Sequence, residues 1–114
     1  MSQHELDAIL PLSPTVFHVL VALAAEPKHG YAVAREVEEL TEGRVVMGPG
    51  TLYGSLQRMT DAGLIDEAPN PGDDAQHAGR RRYYGVTALG RAALQAESER
   101  LVRALAVVRE RTGG

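Results

Sequence analysis

Cysteine and tryptophan are both absent from this chain of 114 residues. The missing thiols exclude disulfide staples, thiolate metal sites and a cysteine nucleophile. Aromatic side chains amount to four tyrosines and one phenylalanine, so the core has to be built from aliphatic residues. Long hydrophobic runs are missing too. The longest, VFHVLVALAA over residues 16–25, is broken by His18 and falls far short of the roughly 20 apolar residues of a membrane span. The amino terminus, MSQHELDAIL, carries acids where a secretory signal carries a basic patch. A cytoplasmic protein without membrane contact is therefore expected. Nothing repeats internally, and the length leaves room for a single domain. The four histidines, His4, His18, His29 and His77, share no ligand spacing, so neither a metal nor a cofactor is expected. His18, on an apolar stretch, reads as a packed side chain. A catalytic triad is recognised by geometry, and no Ser/His/Asp set stands out, so no catalytic residue is assigned and no enzyme is expected.

A surplus of positive charge is also lacking, since the formal net charge is −3. Its distribution is uneven. Residues 1–43 hold two basic and seven acidic side chains, whereas 44–58 hold Arg44 and Arg58 and no acid. Residues 59–74 hold five acids and no base, and 75–96 hold four arginines and no acid. A fold that brings the two acid-free stretches together gives an acidic protein a positive face. The alternative is two scattered, solvated basic patches.

The first solid element opens at LSPTVFHVLVALAAEP. Ser13 can cap and Pro14 suits the first position of a helix that should end before Pro27. It is apolar almost all round, which predicts a central, buried helix. In HGYAVAREVEELTEG, Val33, Ala34, Val37 and Leu40 fall at helical spacing, with Arg35, Glu36, Glu38 and Glu39 on the other face and Gly43 as the stop. A third helix is predicted from about Thr51 to Ala62, ended by Gly63. LIDEA reads as a short strand and RRRYYGVT as a second, joined by the turn-rich PNPGDDAQHAG. In the second strand Arg82, Tyr84 and Val86 point one way and Arg81, Tyr83 and Gly85 the other. A last helix, capped by Thr87, runs to about Arg111; roughly 24 residues at ~1.5 Å rise span about 36 Å. Three short helices followed by a two-stranded ribbon give a mainly α (α+β) chain with a winged helix-turn-helix layout.

The stretch VMGPGTLYGSLQRM raises a question, because three glycines and a proline crowd the start of a helix. On a helical wheel Leu52, Leu56 and Met59 gather on one side and must face the core. The opposite side carries Gly50, Gly54, Gln57 and Asp61, flanked by Thr51, Tyr53 and Arg58. In a helix-turn-helix the second helix puts its amino-terminal residues into the major groove. Gln57 can then offer its amide to adenine and Arg58 its fork to guanine or phosphate. Thr51 and the first-turn amides suit a phosphate oxygen, and Tyr53 can reach phosphate or sugar. Gly54 costs the helix about 1 kcal/mol relative to Ala, which close approach of a phosphate backbone explains and core packing does not. The competing reading is an amphipathic helix whose polar face meets only water. A nucleotide-hydrolysing loop is a poor match, since GPGT lacks the lysine of G-x-x-x-x-G-K-[ST].

Arg80, Arg81 and Arg82 open the second strand. They serve either as a charged edge that blocks strand-to-strand aggregation or as a wing that reaches the DNA backbone or minor groove. In the last helix Leu94, Ser98, Leu101, Leu105 and Val108 step by four, three, four and three, which is heptad spacing. Val102 and Val107 widen that face. Two copies packing these helices bury it and form a two-fold dimer; alternatively the helix folds back over its own core.

Taken in order, HGYAVAREVEE, GPGTLYGSLQRM with GLI, and RRRYYGVTALGR resemble the PadR family of bacterial transcriptional regulators over about residues 12–105. The resemblance implies a homodimeric winged-helix repressor that holds a palindromic double-stranded operator and releases it on an unknown signal or small ligand. It implies that the helix near Thr51 reads DNA and that the carboxyl-terminal helix dimerises, as in the short members of the family. It also implies that Tyr31 lies near the DNA backbone. Short members that bind flat hydrophobic compounds between subunits often use a tryptophan, and this chain has none. The expected division is a DNA-binding unit over 1–86, with 1–11 as a short extension, and a dimerisation helix over 87–114, within one compact unit. A winged-helix module that binds protein instead of DNA is the alternative, favoured by the acidic second helix and the net negative charge.

Overall fold

The computed structural model describes residues 3–69 and 82–113. Its elements run α1 (Gln3–Ile9), α2 (Pro14–Leu23), β1 (Lys28–His29), α3 (Gly30–Leu40), α4 (Pro49–Asp61), β2 (Ile65–Ala68), β3 (Tyr83–Val86) and α5 (Ala88–Thr112). Ser13 caps α2 by accepting from the Val16 amide, with Pro14 in the first turn. Val19, Leu20, Ala22 and Leu23 of α2 are buried, and this helix meets α3, α5 and β3. It is the hub the apolar run predicts. Val33 and Val37 of α3 and Leu52, Leu56 and Met59 of α4 complete the aliphatic core with Leu64, Ile65 and Ala93. Burying each such Leu or Ile side chain contributes about 1.5–3 kcal/mol, which fixes the side of α4 that turns away from solvent.

Four details differ from the sequence reading. The segment 1–11 is more than an extension: it carries α1, whose Leu6 and Ile9 pack on the core. Leu40, placed in the core by periodicity, is exposed because α3 ends there. Helix α4 starts at Pro49, ahead of Thr51, because the fixed φ of proline suits a first turn. The ribbon gains a third strand, since the order in the sheet is β1-β3-β2, with His29 opposite Tyr83 and Glu67 opposite Tyr84. A two-residue strand leaves no alternation for a sequence pattern to detect. The turn-rich loop, with Arg80 and Arg81, lies outside the described residues.

Thr87 caps α5, its hydroxyl accepting from the Gly90 amide and donating to the Gly63 carbonyl. The helix is seated so tightly that a Cβ on Gly90 would stand 2.1 Å from the Leu64 carbonyl oxygen. Further along, Glu97 is almost wholly buried and accepts from the Leu12 amide at 3.2 Å and from Arg100. The Arg100 hydrogen bond holds its carboxyl below the usual carboxylate range; burial opposes this and the Leu12 amide assists it. Residues 101–113 are exposed throughout. The first half of α5 therefore covers its own core, and the second half covers none of the described residues.

Candidate nucleic-acid interface

Gly48 takes the cap position of α4 without any side-chain hydrogen bond, and no acid occupies the first turn. The Gly50 and Thr51 amides thus open on solvent at the positive end of the helix dipole. Thr51, Tyr53, Gln57 and Arg58 are exposed on the side opposite the core, and Gly54 is half-buried among them. The Arg58 guanidinium folds back over Gly54 and donates to the Ser55 hydroxyl at 3.2 Å. Gln57 donates its amide to the Asp61 carboxylate at 2.9 Å.

Tyr53 leans across the start of α3. A Cβ on Gly30 would lie 3.0 Å from the Tyr53 hydroxyl oxygen, so the side chain at 30 has to be absent for the ring to rest there. Next to it, Tyr31 is 68% exposed, the second large apolar surface at this corner. His29 caps α3 through Nδ1, which accepts from the Ala32 amide at 3.3 Å, and its ring stands edge-on to Tyr83. His29, Tyr31, Arg35, Tyr53 and Arg82 line one open groove of about 880 Å³, and among the described residues no carboxylate lines it. A second groove, of about 360 Å³, runs between α4 and the sheet past Gln57, Thr60, Glu67, Arg82 and Tyr84. Arg82 stands at the junction of the two, 3.5 Å from Glu67 in a solvent-exposed pair. Burial pushes the Tyr84 phenol up, and the neighbouring Arg82 partly counters it.

The structure thus brings Tyr31, Thr51, Tyr53, Gly54, Gln57, Arg58 and Arg82 to one side of the molecule. Arg35 joins them, although the sequence reading counted it only as part of a polar face. Its signal was its place one helical turn after Tyr31. Lys28 does not join them, because its ammonium is spent on the Ala22 carbonyl at 2.6 Å and on Glu36 at 3.3 Å. The candidate dimer residues divide. Leu94 packs against the core of its own chain, and Ser98 is half-buried with its hydroxyl on the Leu94 carbonyl. Leu101, Val102, Leu105 and Val108 are exposed, with Val107 beside them. Among the described residues no helix is long and apolar enough to cross a membrane.

Comparison with known proteins adds to this geometry. Residues 19–96 match the model of the transcriptional regulator PadR-like family. An uncharacterized 37.1 kDa protein in a transposon of Streptomyces fradiae is 36% identical over 85 residues, 75% of this chain. The chain spans only 22% of that protein's length. The PadR-like transcriptional regulator of Bacillus cereus strain ATCC 14579 has the same fold, with a TM-score of 0.70 at 20% identity over 98% of this chain and 99% of that one. A PadR family transcription regulator of Clostridium difficile R20291 gives a TM-score of 0.69 at 24% identity, over 90% of this chain and all of the other. At those identities the likeness is one of fold.

Proposed function

The chain belongs to the PadR-like family of transcriptional regulators, and from that premise we propose a cytoplasmic homodimeric repressor that grips a palindromic operator. In this reading residues 1–86 bind DNA and the helix over 87–114 joins the subunits. The exposed face of α4 enters the major groove, with Gln57 and Arg58 facing bases and Thr51 and Tyr53 facing phosphate and sugar. Tyr31, Arg35 and Arg82 hold the adjoining backbone, and Arg80 and Arg81 extend that contact. A change of signal, including a small ligand, releases the operator.

One observation carries the proposal: a groove between α3, α4 and the start of β3, lined among the described residues by tyrosines and arginines and no acid, that opens beside the exposed face of α4. Backbone-neutralising side chains next to a helix with free first-turn amides suit a polyanion rather than a protein surface. The exposed apolar stripe Leu101, Val102, Leu105 and Val108 supports the dimer. A solitary chain leaves that stripe in water, whereas two copies related by a two-fold axis present two α4 helices one helical turn of DNA apart, about 34–36 Å.

The test is recovery of bound fragments from genomic DNA, followed by binding of the selected duplex to Tyr53→Ala and Arg58→Ala. Both variants should bind it more weakly while sedimenting as the parent does. Unchanged binding by both would remove the assigned face from the argument.

A further inference from the structure

We propose that Asp61 is a positioning residue that sets which base Gln57 reads, so that each operator half-site presents an adenine to Gln57. The inference rests on the reading of the chain as a DNA-binding regulator and deepens it. Asp61 is the last residue of α4, where a carboxylate meets the negative end of the helix dipole. It is exposed on the side that faces DNA in this reading, where its charge repels phosphate. Among the described residues its carboxylate has no cationic partner and accepts one hydrogen bond, from Gln57 Nε2 at 2.9 Å. Both the helix and the polyanion disfavour an acid at this place, so its effect on Gln57 is what remains to account for it.

That effect follows from hydrogen-bond chemistry. A carboxylate only accepts, so the Gln57 atom facing it has to be the amide nitrogen. One amide proton is thereby taken, and the oxygen is held on the other side of the amide plane. The outer edge of the side chain then offers the carbonyl oxygen as acceptor beside the second N–H as donor. This fixed acceptor–donor pair matches the N6 amine and N7 of adenine in the major groove. Guanine presents two acceptors there and opposes the oxygen. Freed from Asp61, the amide can turn over, and the order of acceptor and donor along the groove is no longer imposed. Holding the side chain beforehand also removes a rotamer cost at binding.

The experiment selects from a library of random-sequence duplexes with the parent, Gln57→Ala and Asp61→Ala, and compares base preferences position by position. The parent should favour adenine at one position of each half-site, by about 5- to 150-fold over the wrong base, the range of one bidentate pair. Gln57→Ala should lose that preference and keep the others. Asp61→Ala should weaken the same preference at least about fivefold, even where losing the charge raises affinity for all duplexes alike. A purely structural role for Asp61 moves affinity or stability and leaves the position-specific ratio untouched. If the parent selects a site and Asp61→Ala selects it with the same preferences, the inference is overturned and the regulator reading stands. If the parent prefers a base other than adenine where Gln57→Ala loses its preference, the inference also fails. Failure of the parent to retain any duplex would end both.

Discussion

Replacing Gly54 by alanine separates the stability of α4 from its use. The residue sits in the interior of the 13-residue helix, where alanine is favoured over glycine by about 0.5–1 kcal/mol. An added Cβ would meet only the tip of Arg58, with Nη1 at 3.4 Å. That is ordinary contact with the free end of a flexible side chain, so no packing term offsets the propensity gain. Gly54→Ala should therefore raise the melting temperature by roughly 2–5 °C, the shift that such an energy gives a domain of this size. Because a dimer's stability depends on protomer concentration, parent and variant have to be compared at one concentration. On DNA the sign should reverse. With that face against the DNA backbone as proposed, an added methyl group should impose about 1–3 kcal/mol of overpacking, a loss of roughly 5- to 150-fold in operator affinity. The paired assays are thermal denaturation and titration of the selected duplex at fixed salt. A variant that melts below the parent would refute the packing argument. One that melts higher and binds the operator unchanged would refute the clearance argument, and Gly54→Leu repeats that second test with a larger side chain.

Acid should loosen the seat of α5 on the amino-terminal segment. The folded pKa of Glu97 lies below its unfolded value, so its stabilisation is complete above about pH 4.3 and is lost as the pH falls from there through the depressed value. Urea midpoints measured down a pH series should fall on that limb for the parent, and Glu97→Gln should flatten it. Glu97→Ala leaves the Leu12 amide buried without its acceptor, which costs about 1–3 kcal/mol at any pH. Leu105→Glu puts a charge on the exposed stripe of α5 and should halve the mass seen in sedimentation equilibrium. Operator affinity should fall with it by about 10²–10⁴, since the two half-sites are then no longer held together. A mass unchanged in Leu105→Glu would place the subunit contact elsewhere.

Periodicity and capping made most of the helical frame legible. Ser13 with Pro14, and Thr87, each announced a helix start that the structure places within a residue of the expectation. The core side of α4 was equally legible, because three apolar residues at helical spacing leave one orientation. Leu40 shows where this reasoning ends: the right spacing continues past the last turn that has anything to pack against. Glu97 shows another limit, since in QAESER it reads as one more surface acid. Only the approach of Leu12, 85 residues earlier in the chain, turns it into a buried acceptor. The candidate site was partly legible, because outward positions on α4 follow from inward ones. Arg35 escaped notice because its part depends on Tyr53 crossing from another helix.

By itself the sequence determined the class of the protein: an aliphatic, cysteine-free, mainly helical chain with a small β-ribbon and a long terminal helix. Local chemistry suffices for this, since caps, glycine stops and apolar spacing act within a few residues. The tertiary structure decided which charges share a surface. It set Arg82 beside Gln57 and Tyr53 beside Tyr31, and it withdrew Lys28 into a carbonyl and an ion pair. It also divided α5 into a half that covers its own core and a half left apolar in solvent. Contacts of that kind join residues far apart in the chain, and their geometry is set only once the core has packed.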